Sequence, residues 1–108
     1  MDLRTNIIDI LKIISSPVKQ YDYENSVPIA NVPSELICQW FDDLYFDSDL
    51  FRHSFSAEEM EELKKFNDFF DERVDSLPTD GGVKALQNNT SWQEVQVMAE
   101  CVIRRFGW

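Results

Sequence analysis

Apolar residues recur at helical spacing in four stretches of this chain. Leu3, Ile7, Ile10, Leu11 and Ile14 predict a first helix over about residues 3–15. Ser15-Ser16-Pro17 should stop it, because proline cannot continue the hydrogen-bond ladder. Residues 17–33 carry Pro17, Pro28 and Pro33 among Tyr21, Tyr23, Val27, Ile29 and Val32. They read as an ordered connection wrapped over the core, with room for a short strand. Ser34 is a suitable N-cap for a second helix over about Glu35–Phe46, with Leu36, Ile37, Trp40, Phe41 and Leu44 on one face.

FSAEEM marks a further helix start. Ser56 and Glu59 have capping-box spacing, and Phe55 can staple onto Met60. This helix should run from about Ala57 to Ser76, burying Met60, Leu63, Phe66, Phe70, Val74 and Leu77, with Pro78 and Gly81-Gly82 ending it. A short helical piece around Val83–Gln87 follows. Ser91 and Glu94 repeat the capping-box spacing before a last helix that buries Trp92, Val95, Ala99, Val102 and Phe106. Arg104, Arg105 and Gly107 suit its end. The expected fold is all-α: one domain over residues 1–108, built as a bundle of four main helices with short helical or extended connections.

Composition adds limits. A chain of 108 residues with 44% apolar content supports one modest core. No uncharged apolar run reaches the ~18 residues a spanning helix needs, and charges interrupt the apolar N-terminal stretch, so neither a helical span nor a signal-peptide core is expected. Cys38 and Cys101 form no spaced motif and read as buried thiols of a cytoplasmic protein.

Charge changes the picture more. The net charge is −10, and residues 35–75, with thirteen acids and four bases, hold −9 of it. A solvated acidic face is the bland explanation, but a block of this kind also projects a field toward a partner. The stretch CQWFDDLYFDSDLFRH, Cys38–His53, sits in that block and mixes four aspartates with five large aromatics.

Three chemistries suit such a stretch. The first is metal binding. Asp47-Ser48-Asp49 opens like a calcium loop, with Glu58 at its twelfth position, but Phe51 replaces a ligand and Arg52 stands where the turn needs glycine. Asp42, Asp43 and Asp47 lack the phosphate-binding partners of a magnesium site, and one histidine with two scattered cysteines cannot make a zinc site. The second is catalysis. His53 is the only histidine available to activate either cysteine, and it reads as a surface or loop-anchoring residue. No glycine-rich phosphate loop is present. No enzyme activity, metal or cofactor is therefore expected.

The third is a protein partner. An acidic block repels nucleic acid and attracts a basic protein surface, with charges speeding encounter and aromatics supplying affinity. The charged candidates are Asp42, Asp43, Asp47, Asp49, Glu58, Glu61 and Glu62. The aromatic candidates are Tyr45, Phe46 and Phe51. For each of Phe46, Phe51 and Phe55 a place in the core is the competing assignment.

WFDDLYFDSDLF, SAEEMEELKKFNDFFDERVDSLP and SWQEVQVMAECVIRRF together resemble the immunity proteins of contact-dependent growth inhibition and related bacterial polymorphic toxins. Nuclease-colicin immunity proteins are similar in using an acidic helix and an aspartate–aromatic segment, in a different order. The resemblance implies a small, acidic, helical cytoplasmic protein that binds a basic, nuclease-type toxin one to one. Two alternatives stand beside it: a nucleic-acid mimic that inhibits a DNA- or RNA-binding protein, and a helical adaptor or oligomerisation module.

Overall fold

The computed structural model describes residues 2–27, 31–43 and 48–108. All regular structure among them is helical: α1 Leu3–Ser15, α2 Pro17–Ser26, α3 Val32–Asp43, α4 Asp49–Ser54, α5 Ala57–Asp71, a 3-10 turn Val74–Ser76, α6 Gly82–Gln87 and α7 Thr90–Phe106. The four expected main helices are present as α1, α3, α5 and α7, while α2 and α4 are additions. Among the described residues no helix is long and apolar enough to cross a membrane.

Helix α1 forms as its pattern predicts. The Asp2 carboxylate accepts from Thr5 N at 2.7 Å, and Ile7, Ile10, Leu11 and Ile14 are buried. Pro17 ends α1 and also opens α2. Ser16 is the single residue between them, its hydroxyl accepts from Lys19 N at 3.3 Å, and proline at the first helical position has no amide to waste. The first part of the connection expected over 17–33, Pro17–Ser26, is therefore a helix. It shows no apolar stripe because its one buried residue is Gln20.

Gln20 replaces hydrophobic packing with a polar latch. Its Nε2 donates to the carbonyls of Ile13 and Ile14 at 2.9 Å and to Gln96 Oε1 at 3.1 Å. Its Oε1 accepts from Trp92 Nε1 at 3.2 Å and from the Gln87 amide. One side chain thus joins α1, α2, α6 and α7.

The cap of α3 is Asn31, whose Oδ1 accepts from Ser34 N at 3.2 Å, so Ser34 lies inside the helix rather than at its start. Trp40 packs edge-on against Phe66 of α5 with centroids 4.8 Å apart and donates to Asn67 Oδ1 at 3.1 Å. The expected last turn of this helix, 44–46, lies outside the described residues.

Both bonds of the Ser56–Glu59 capping box are present at the start of α5. The expected continuous helix to Ser76 stops at Asp71. Arg73 bends back so that its Nη1 bonds the Phe69 carbonyl at 3.0 Å, and its own amide takes the Phe70 carbonyl at 2.9 Å, a tighter i→i−3 link.

Gly81 and Gly82 open α6 rather than merely ending the preceding helix. Glu24 of α2 caps it by accepting from Val83 N at 2.7 Å, and a Cβ on Gly82, at φ +68°, would stand 2.7 Å from that carboxylate. Asn89, not Ser91, caps α7, accepting from Trp92 N at 3.0 Å. Gly107 closes α7 in the left-handed region, with Trp108 N bonded to the Ile103 carbonyl at 2.9 Å, a Schellman ending.

α1 and α7 make the most extensive helix pair, and α5 lies along another side of α7. The buried residues of these helices, with Val32, Leu36, Trp40, Phe51, Phe55 and Leu86, form one continuous core.

Candidate partner-binding face

Among the proposed contact aromatics, Phe51 requires correction. It is buried in the core, where its ring lies 5.2 Å from that of Phe55. The physical reason is α4: Ser48 caps a six-residue helix by accepting from Phe51 N at 3.1 Å, and one turn of helix points Phe51 inward. Phe51 is therefore a packing residue. Tyr45, Phe46 and Asp47 lie outside the described residues, as does the side chain of Asp43.

The remaining acidic candidates are on the surface in unequal settings. Asp42 is exposed in the last turn of α3. Asp49 is 84% exposed at the start of α4 and pairs with Arg52 at 2.8 Å. Glu58 is exposed and meets Arg105 of α7 at 2.8 Å. Glu61 and Glu62 flank Lys65 at 3.6 and 3.2 Å. Glu58, Glu62 and Glu61 all raise the Arg105 pKa, with the Glu58 hydrogen bond the largest cause. The first two turns of α5 are thus acidic but internally matched.

Farther along α5 the balance changes. Asp68, Asp71 and Asp75 are exposed, and none has an ion pair within 4 Å among the described residues. Three unpaired acids thus lie close together in sequence on the second half of α5 and its 3-10 extension.

The structure also shows a feature that sequence reasoning missed. An open groove of about 380 Å³ lies between α5 and α7, lined by Phe69, Val97, Met98 and Cys101 with Thr90, Gln93 and Glu94 at its edge. Val97 is 60% exposed, unusual for a valine. The Arg73 guanidinium lies 3.5 Å from the centroid of the Phe69 ring and also meets Glu72 and Glu94 at 3.6 and 3.7 Å, fixing one end of the groove. The signal was a second apolar stripe in α7: Val97, Met98 and Cys101 stand off the face that buries Trp92, Val95, Ala99 and Val102.

This placement also overturns the expectation of buried thiols. Cys101 borders the groove, Cys38 lies on the outer side of α3, and both are free and exposed. Among the described residues no group of three or more His, Cys, Asp or Glu side chains is arranged to hold a metal ion.

What the face offers is an open apolar groove with Glu94 at its edge, which suits docking. No protein-family model, curated protein or solved structure matches the chain.

Proposed function

We propose that this chain is an immunity-type inhibitor that binds a basic, nuclease-type protein toxin one to one in the cytoplasm. It acts by binding and catalyses nothing. The observation that carries the reading is the open apolar groove of Phe69, Val97, Met98 and Cys101, on a chain that also exposes unpaired acids on α5 and its 3-10 extension. An exposed apolar strip costs solubility unless a partner covers it. Affinity would come from apolar groups seated in the groove, and partner choice from Lys and Arg meeting Asp68, Asp71 and Asp75. The acids Asp42 and Asp49 extend the same sign of charge to α3 and α4. The toxin would be blocked by covering its nucleic-acid cleft or a surface beside it.

The test is co-expression with the toxin candidate encoded in the adjacent reading frame, scored by growth rescue and by calorimetry. The expected result is rescue with a one-to-one complex. Val97→Glu with Met98→Glu should weaken that complex at least about thirtyfold, the scale of a hot-spot loss. No rescue and no complex would overturn the reading. Concentration-dependent dimerisation abolished by the same pair of substitutions would instead make the groove a self-association surface.

A further inference from the structure

On the other flank of α7 lies a feature of opposite character. Lys12, Ser15 and Ser16 at the α1–α2 corner, Pro17 and Lys19 of α2, and Glu100, Ile103 and Arg104 of α7 enclose an open cleft of about 680 Å³. Three cations border it in a chain whose net charge is −10. With 20 acids for 10 bases, each base has a surplus of possible partners. Arg4, Arg52, Lys65, Arg73 and Arg105 all use them. Lys12, Lys19, Lys64 and Lys84 have no carboxylate within 4 Å among the described residues, and the first two stand together at this cleft. Arg104 is held there by Glu100 at 2.7 Å.

We propose that this cleft binds a small phosphate-bearing anion with more than one phosphate group. Two flexible ammonium groups beside one guanidinium suit several phosphate oxygens, and the guanidinium supplies the planar fork that phosphate accepts best. Ser16 Oγ accepts from Lys19 N and keeps its own O–H to donate into the cleft. The Ser15 hydroxyl is already given to the Lys12 carbonyl at 3.0 Å, so it adds no donor. Glu100 opposes the ligand by its charge and orients Arg104 in its absence. The volume exceeds what one phosphate needs, whereas Pro17 and Ile103 are the only apolar residues lining it among the described residues and offer no aromatic ring for stacking a base. A compact diphosphate fits that description better than a nucleotide. The inference is independent of the toxin reading, since it concerns another face and another ligand class.

The experiment is a titration of the full chain with pyrophosphate, inorganic phosphate and citrate, followed by amide NMR shifts. Pyrophosphate should shift the amides around Lys12, Lys19 and Arg104 in a saturable way, and bind more tightly than phosphate. Lys12→Gln and Lys19→Gln should each weaken it about fivefold, and Glu100→Gln should tighten it about threefold. Arg105→Gln, which removes the same charge from the α5 side of α7, should leave it unchanged within about twofold. Shifts that are unsaturable, or that fall equally for Arg105→Gln, would overturn the site. Citrate binding as tightly as pyrophosphate would overturn the phosphate assignment.

Discussion

Gln20 is the one fully buried polar side chain among the described residues, and its carboxamide is bonded on both sides. A leucine would fill nearly the same space, yet leave the Trp92 indole N–H and the Gln87 and Gln96 amides to find other partners in a dry site. Unsatisfied buried groups cost about 1–3 kcal/mol each, far more than the net gain of a hydrogen bond. Gln20→Leu should therefore lower stability by about 2–4 kcal/mol in urea melts despite added hydrophobicity. A loss under about 1 kcal/mol would mean that Gln87 and Gln96 close the network between themselves. The same residue explains why α2 was illegible. Helix recognition from sequence rests on apolar periodicity, and this helix is anchored by an amide, a tyrosine and a glutamate. Tyr23 donates to Glu35 Oε2 at 2.7 Å, Glu24 caps α6, and neither bond leaves a periodic trace.

Among the elements, α1 was legible at both ends, and α5 at its start, which is written locally. Glu59 also reaches outward: Arg4 of α1 forks onto both its oxygens at 2.9 Å, bonds the Ser54 carbonyl at 3.0 Å, and lies over the rings of Phe55 and Trp108. The Arg4 hydrogen bonds are the largest cause of the Glu59 pKa falling from 4.5 to about 2. A carboxylate whose folded pKa is depressed stabilises the fold above its unfolded pKa. That stability is lost as pH falls through the folded value, so the window runs from about 4.5 down to about 2. Arg4 is 40% exposed and Glu59 13%, so solvent screens the pair, and we expect a contribution of about 1–2 kcal/mol. The stability gap between the native chain and Glu59→Gln should be present at neutral pH and close across that window in equilibrium denaturation. A gap that does not change with pH would remove the ion pair from the account. What local signals could not convey is α4. Its six residues are too few to show a period, so Phe51 reads as an aromatic in an acidic loop when it is a core residue at the end of one helical turn.

At the scale of the molecule, the charge block was visible in the sequence but its compensation was not. Arg4 and Arg105 are far in sequence from Glu59 and Glu58 and meet them only through the packing of α1 and α7 on α5. The unpaired acids, Asp68, Asp71 and Asp75 among them, with the net −10 still set a long-range field. Association with a basic partner should be fast at low salt. Its on-rate should fall by about tenfold or more between low and physiological ionic strength, with a smaller change in off-rate, as stopped-flow mixing would show. An on-rate indifferent to salt would assign the binding to the apolar groove alone. The groove was legible in principle, since α7 carries two apolar stripes. One stripe was enough to account for a helix, and only the structure shows that Val97 and Cys101 of the second are exposed.

The three tryptophans stand in different surroundings. Trp40 and Trp92 are fully buried, each with its indole N–H bonded, to Asn67 and to Gln20. Trp108 is only partly buried, stacked near Phe106 with the Arg4 guanidinium 5.5 Å from its ring. The chain therefore carries its own set of optical reporters. Two indoles emit from dry interiors and register loss of the core, one at the α3–α5 contact and one at the Gln20 latch. The third sits beside a cation and registers whether the Arg4 junction of α1 and α5 is closed, so single-tryptophan variants would let the opening of that junction be timed separately from unfolding.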